Sequence, residues 1–303
     1  MTLLTQRWIH EIGLRGTALA IGACSILAGC PASDDSETGA DATEDPTEDD
    51  TSAGPEDSST TAPTTEPTTT EADSGTEDTT EPTTGNQHVA NCDTPATEVW
   101  DGNIYIDAAG DEALLEGYGT VTGDIKIFNP EIANLDFLAC VTEVGGDLQI
   151  YQTTAPDLAG TANITRIGGS LTLSENENLV NIYGMQSLTE LGGALVITKN
   201  PVLLTIEDFT PLQLIGLSIN IDQNPVLTHI LGFTGLVAIT QILSISYIDA
   251  LISLEGLHDL KAIGGQLLIT GNKELCISDV QEVGGDLEKW NGEGDTTGNK
   301  ENC

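Results

Sequence analysis

Residues 191–221 read LGGALVITKNPVLLTIEDFTPLQLIGLSINI, and the fold turns on this stretch. Leu195 and Ile197 alternate with Val196 and Thr198, the pattern of a short strand with one face buried. Leu203, Ile206, Phe209, Leu212 and Ile215 then recur at every third residue, which suits short segments and turns better than a continuous amphipathic helix. At Ile215 the opening pattern returns as IGLSINI, 24 residues after LGGALVI. The unit is LxIxxNxxLxxIxGFxxLxxIGG, with Gly192-Gly193 read as a tight bend before the strand.

Outward from this unit the same motif recurs as VTGDIKI (121), VGGDLQI (144), IGGSLTL (167), ITQILSI (239), IGGQLLI (263) and VGGDLEK (283), with a degenerate copy, WDGNIYI, at Trp100. From 121 onward the starts are 23, 23, 24, 24, 24, 24 and 20 residues apart, so about nine copies fill the region. Constant spacing stacks equivalent residues into files. Leu148, Leu171, Leu195, Ile219, Leu243 and Leu267 form one inward file, and Ile150, Leu173, Ile197, Ile221, Ile245 and Ile269 its neighbour. Each buried aliphatic side chain contributes about 1.5 to 3 kcal/mol, and no single coil is stable without its neighbours. Asn176, Asn200, Asn224 and Asn272 fall in another file, interrupted by Ile248, and are read as structural amides that satisfy turn backbone.

The residues between the inward positions face out. One outward file runs Tyr105, Lys126, Gln149, Thr172, Val196, Asn220, Ser244, Leu268 and Glu288; the other runs Asp107, Phe128, Tyr151, Ser174, Thr198, Asp222, Ser246, Thr270 and Trp290. Tyr105, Phe128 and Tyr151 are expected to be neighbours and are the candidate binding residues for a protein or glycan; the competing reading is that they only stabilise the first strands. Asp101, Asn103, Asp107, Asp124 and Asp147 cluster at the same end, where adjacent coils offer oxygens for a weak Ca²⁺ site or simply a solvated acidic edge.

The chain as a whole carries 48 Asp and Glu against 9 Lys and Arg, net charge −39, which makes nucleic acid and anionic lipid headgroups poor partners. Residues 31–90 hold 17 acidic side chains, 16 Thr and 6 Pro with no Lys or Arg, a composition that cannot bury enough apolar surface to fold and is read as a disordered tether. As a flexible chain of 60 residues it reaches about 45 Å. Before it, Arg7 and Arg15 precede an apolar run from Gly16 to Gly29, too short to span a bilayer and read as a signal peptide. Leu27-Ala28-Gly29-Cys30 closes the run and resembles the lipobox of bacterial lipoproteins. That resemblance implies cleavage before Cys30 and lipid on its sulfur, hence a membrane partner; an ordinary secretory signal is the alternative. Pro31 stands where an Asp often retains such proteins in the inner membrane, which favours the outer membrane or cell surface. Four further cysteines remain, Cys92, Cys140, Cys276 and Cys303, for which 92–140 with 276–303 is the local choice among three connectivities, each closure contributing about 3 to 4 kcal/mol. Without a CxxC pair or His cluster, no metal centre is expected from these cysteines.

The recurring IGGxLxI, the Asn file, the IxG(F/L)xxL segment and the terminal cysteines resemble the receptor L domain, and more loosely the leucine-rich repeats, over residues 92–303. The resemblance implies a mainly β, right-handed parallel β-helix-like solenoid that binds partners on a face and performs no chemistry. Missing Asn at Ile248, missing Gly-Gly pairs at 215 and 239 and only 12 aromatics depart from the pattern, so no ligand residue carries over. The expected organisation is a lipoprotein signal at 1–29, a lipidated Cys and tether at 30–91 and the solenoid at 92–303. Neither His229 nor His258 lies in HExxH, and no GxSxG or GxxxxGK[ST] occurs; His229 is expected at the surface. The rival class is a β-helix enzyme acting on polysaccharide, for which Glu175, Glu177, Glu207 and Asp208 are the candidate carboxylates. No cofactor is expected.

Overall fold

The alternating positions form strands whose aliphatic residues are buried and whose intervening residues are partly open. A computed structural model describes residues 92–285, 287–289, 292–301 and 303. Cys30, the signal and tether at 1–91 and Trp290 lie outside the described residues. Leu195–Thr198 lies parallel and in register between Leu171–Ser174 and Ile219–Asp222, so each residue faces its equivalent in the adjoining repeats. Continued along the chain, this pairing makes a nine-stranded parallel sheet from Ile104–Ile106 to Gly294–Asp295, with strands in chain order. The shorter strands before the motif, from Glu98–Trp100 to Ala262–Ile263, make an eight-stranded parallel sheet. A third strand position is occupied by Thr205–Ile206 and His229–Ile230. Parallel partners need a crossover, supplied here by the rest of each repeat, which at Asp136–Leu138, Ala159–Thr161 and Glu255–Leu257 contains a turn of 3₁₀ helix.

The inward files join into one apolar cluster in which Leu171, Leu195 and Leu267 share an interior with the every-third-residue series. Within that series Phe209 stacks on Phe233 one repeat away, ring centroids 5.1 Å apart and planes at 2°. The protein is therefore mainly β and built of stacked parallel repeats. Disulfides join Cys92 to Cys140 and Cys276 to Cys303.

Two expectations are corrected. VGGDLEK at 283 is not a strand copy: Ile277–Gly285 is an α-helix, α1, the one α-helix among the described residues. Ile277, Val280, Val283 and Leu287 are spaced three and four apart, and all four pack on the core. Asp279 in the first turn complements the helix dipole. The ninth strand is Gly294–Asp295, which pairs with Leu267–Leu268, so Asp295 rather than Glu288 ends the first outward file.

The Gly-Gly pairs sit at the expected bend before each long strand, and close packing between repeats is a second reason for glycine there. Neither Gly168 nor Gly169 has positive φ, but a Cβ at Gly168 would lie 2.2 Å from the Gly145 carbonyl oxygen, and one at Gly169 would lie 2.2 Å from Asp147 Oδ1. At these two positions the adjoining repeat approaches so closely that an added side chain would have to displace its neighbour.

Candidate recognition surface

Two ladders of side-chain hydrogen bonds hold the repeats in register and so fix what their outer faces present. In the first, the side-chain oxygen just before the long strand accepts an amide of the next repeat: Asn103 Oδ1 from Asp124 (2.8 Å), Asp124 Oδ1 from Asp147 (2.9 Å) and Asp147 Oδ1 from Ser170 (2.7 Å). The other oxygens of these carboxylates face protein donors too, since Gln149 Nε2 donates to Asp147 Oδ2 at 3.1 Å and Lys126 Nζ lies 3.7 Å from Asp124 Oδ2. Asp101 Oδ1 accepts the Thr122 hydroxyl. Asp101, Asn103, Asp124 and Asp147, four of the residues considered for weak Ca²⁺ binding, thus each offer an oxygen to a donor in the next repeat.

In the second ladder Asn176, Asn200, Asn224 and Asn272 are all fully buried. Asn200 Oδ1 accepts the Asn176 amide at 3.1 Å, Asn224 Oδ1 accepts the Asn200 amide at 2.9 Å, and their Nδ2 groups donate to Leu173 and Ile197 carbonyls. Asn299 continues the file beyond Asn272. Immediately before the rungs the backbone enters the left-handed region at Glu175 (φ 59°), Lys199 (56°), Gln223 (53°) and Gly271 (70°), and Gln152 (48°) and Tyr247 (56°) do the same before Thr153 and Ile248, which fill the place of Asn in their repeats. That conformation costs an ordinary residue about 1–2 kcal/mol, and the buried amides beside it hold the turn.

This corner carries a groove of about 590 Å³ lined by Pro130, Gln152, Glu175, Lys199, Pro201 and Gln223, with Glu177 and Pro225 alongside. Proline walls present no amide and fix the chain. Gln152 Nε2 donates to Glu175 Oε2 at 2.7 Å and Lys199 Nζ to Glu175 Oε1 at 3.1 Å. The Gln152 hydrogen bond first, then Lys199, hold the Glu175 carboxyl below its ordinary value. Its contacts with Gln152 and Lys199 are therefore present at neutral pH and weaken as pH falls through that lowered value.

Beside the groove stand the aromatic residues. Phe128 and Tyr151 are direct partners across adjacent strands, while Tyr105 lies in the neighbouring file opposite Lys126. Tyr105 and Phe128 are 52% and 51% exposed, and Tyr151 is half-buried. Among the described residues the ring pairs are Trp100–Tyr118 and Phe209–Phe233, so the three candidate rings do not stack on one another. Lys126 Nζ lies 6.0 Å from the centroid of the Tyr105 ring, Asn103 Nδ2 donates to the Tyr105 hydroxyl, and the Tyr151 hydroxyl donates to Gln149 Oε1. Burial raises the Tyr151 phenol above its ordinary value. Phe128 is two residues from Pro130 and Tyr151 adjoins Gln152, which makes the aromatic patch continuous with one end of the groove.

The remaining candidates are spread among structural roles. Asp208 occupies a left-handed corner (φ 69°), and its Oδ2 accepts the Gly184 amide at 3.3 Å. His229 is half-buried in a strand with Nδ1 2.8 Å from the Thr228 hydroxyl, rather than an open surface side chain. The sequence reading missed Gln152, Lys199 and Gln223, whose available signal was their shared position just before the Asn file. No described helix is long and apolar enough to cross a membrane. No protein-family model, curated protein or solved structure matches the chain.

Proposed function

We propose that this is a lipid-anchored surface protein whose repeats form a right-handed, receptor L-domain-like solenoid of about nine coils and bind an extracellular glycan or protein without acting on it chemically. Lipid at Cys30 would supply attachment and residues 31–91 the reach. The supporting observation is the surface formed by Tyr105, Phe128 and Tyr151 together with the groove: half-exposed rings on a rigid sheet, bordered by the amide, carboxylate and ammonium groups of Gln152, Glu175 and Lys199. Rings offer flat apolar contact while planar polar groups read hydroxyls or backbone amides, and a preorganised surface loses little entropy on binding. Both Glu175 oxygens are engaged by neighbouring side chains, Oε2 by Gln152 and Oε1 by Lys199, an arrangement suited to presenting a fixed polar surface.

Titration of the protein against arrayed cell-envelope glycans and surface proteins is expected to give saturable binding, weakened about 5- to 30-fold by Tyr105→Ala or Phe128→Ala, the loss of about 1–2 kcal/mol typical of an aromatic anchor. Uniform absence of binding would leave a passive spacer as the better reading, and turnover of a polysaccharide would make the protein an enzyme. Cys30→Ser is expected to move the protein from the membrane to the soluble fraction; continued membrane partitioning would remove the lipid anchor from the account.

A further inference from the structure

We propose that His258, Asp279 and Glu282 form a binding site for a divalent transition metal of the Zn²⁺ class, fastening helix α1 to the repeat that precedes it. One nitrogen of His258 and one carboxylate oxygen each from Asp279 and Glu282 lie within 4.8 Å of one another. Nε2 is 3.8 Å from Asp279 Oδ1, and Nδ1 is 3.5 Å from Glu282 Oε2. His258 Nε2 is buried and has no hydrogen-bond partner among the described residues, and a buried polar nitrogen calls for something polar beside it. Asp279 is already oriented: its Oδ2 accepts the Leu254 amide at 2.7 Å, leaving Oδ1 turned toward the imidazole. Asp279 and Glu282 are three residues apart on α1, so helical geometry places both carboxylates on the side facing His258.

The donor set selects the metal. Three protein ligands of nitrogen and carboxylate type, with an open position for water, suit zinc, and an imidazole favours transition metals over Ca²⁺ or Mg²⁺. Ligand atoms about 2.0–2.2 Å from a tetrahedral ion stand roughly 3.4 Å apart, close to the observed 3.8 Å between Nε2 and Asp279 Oδ1. The Glu282 side chain is 62% exposed and free to rotate its oxygen into the third position. His258 is offered by the repeat just after the 3₁₀ turn at Glu255–Leu257 and the two carboxylates by α1, so the ion would bridge the two.

The test is thermal unfolding of the full-length protein with ZnCl₂, CaCl₂ or MgCl₂. Zinc is expected to raise the melting temperature saturably, reversed by EDTA, with the other two ions inactive at equal concentration. His258→Gln and Glu282→Gln are each expected to weaken zinc binding by at least tenfold in calorimetric titration, while His229→Gln leaves it unchanged. Glu282→Gln alters an exposed side chain, so it separates loss of the ligand from loss of the fold. Co²⁺ in place of zinc should give visible absorption characteristic of low coordination number. Absence of any zinc shift, an equal shift with Ca²⁺, or a zinc shift retained in both His258→Gln and Glu282→Gln would each overturn the proposal, the last by placing the ion elsewhere on this acidic chain.

Discussion

Asn200→Ala is expected to lower stability by about 4 kcal/mol, read as a fall in the urea midpoint of the circular dichroism signal. Asn200 is fully buried, and its Oδ1 accepts both the backbone amide and the Nδ2 of Asn176, at 3.1 and 3.3 Å. Its own Nδ2 donates to the Leu173 carbonyl at 3.1 Å and to Asn224 Oδ1 at 3.2 Å. Alanine leaves a buried N–H and a buried C=O without partners, at about 1–3 kcal/mol each, and breaks the amide file between Asn176 and Asn224. Because a domain is commonly stable by only about 5–15 kcal/mol, the loss is a large share of the total. The adjacent left-handed residue is Lys199, which pairs with Glu175, so the groove should loosen together with the core. A change below 1 kcal/mol would mean that the amides decorate the turn and do not hold it.

Gly168→Ala is expected to cost a comparable amount, about 3 kcal/mol, because the added methyl meets backbone and not a movable side chain. The new Cβ would lie 2.2 Å from the Gly145 carbonyl oxygen and 3.0 Å from its carbon. The repeat with Thr240 in the equivalent place shows what accommodation involves. Its hydroxyl donates to the Gly216 carbonyl, the backbone group that its Cβ approaches. Alanine brings the bulk of threonine's first carbon without the compensating hydroxyl. Gly285→Ala, where nothing lies within 4 Å of the added carbon, provides the control and should change little. Equal melting temperatures for the two variants would contradict this assignment of the glycine pairs.

The repeat and its inward files were legible because they depend on local alternation and constant spacing, which need no knowledge of contacts. The Asn file was legible for the same reason up to Asn272; Asn299 escaped because the last interval is 27 residues and no LxI motif precedes it. The string VGGD at 283 duplicates that at 144 and concealed a helix, whose signal was the spacing of Ile277, Val280, Val283 and Leu287. That misreading also hid the approach of Asp279 and Glu282 to His258. The bend at the glycine pairs was legible, but their second role was not, because it arises between repeats, from backbone some 23 residues away. The groove was missed because the left-handed position before the Asn file carries Gln152, Glu175, Lys199 and Gln223, with no Gly or Asn among them to mark positive φ. The aromatic patch was legible in composition, but its separation into two files, with Lys126 beside Tyr105, required the register.

The central claim is that repeats stack in register along one axis of hydrogen bonding, and pulsed electron resonance between pairs of spin labels tests it most directly. With one label at Lys126 and the second at Asn220, Ser244 or Leu268, equivalent positions in the same outward file, the account predicts mean separations of roughly 19, 24 and 29 Å, rising by about 4.8 Å with each added repeat. Separations that do not rise in step with repeat number would contradict it.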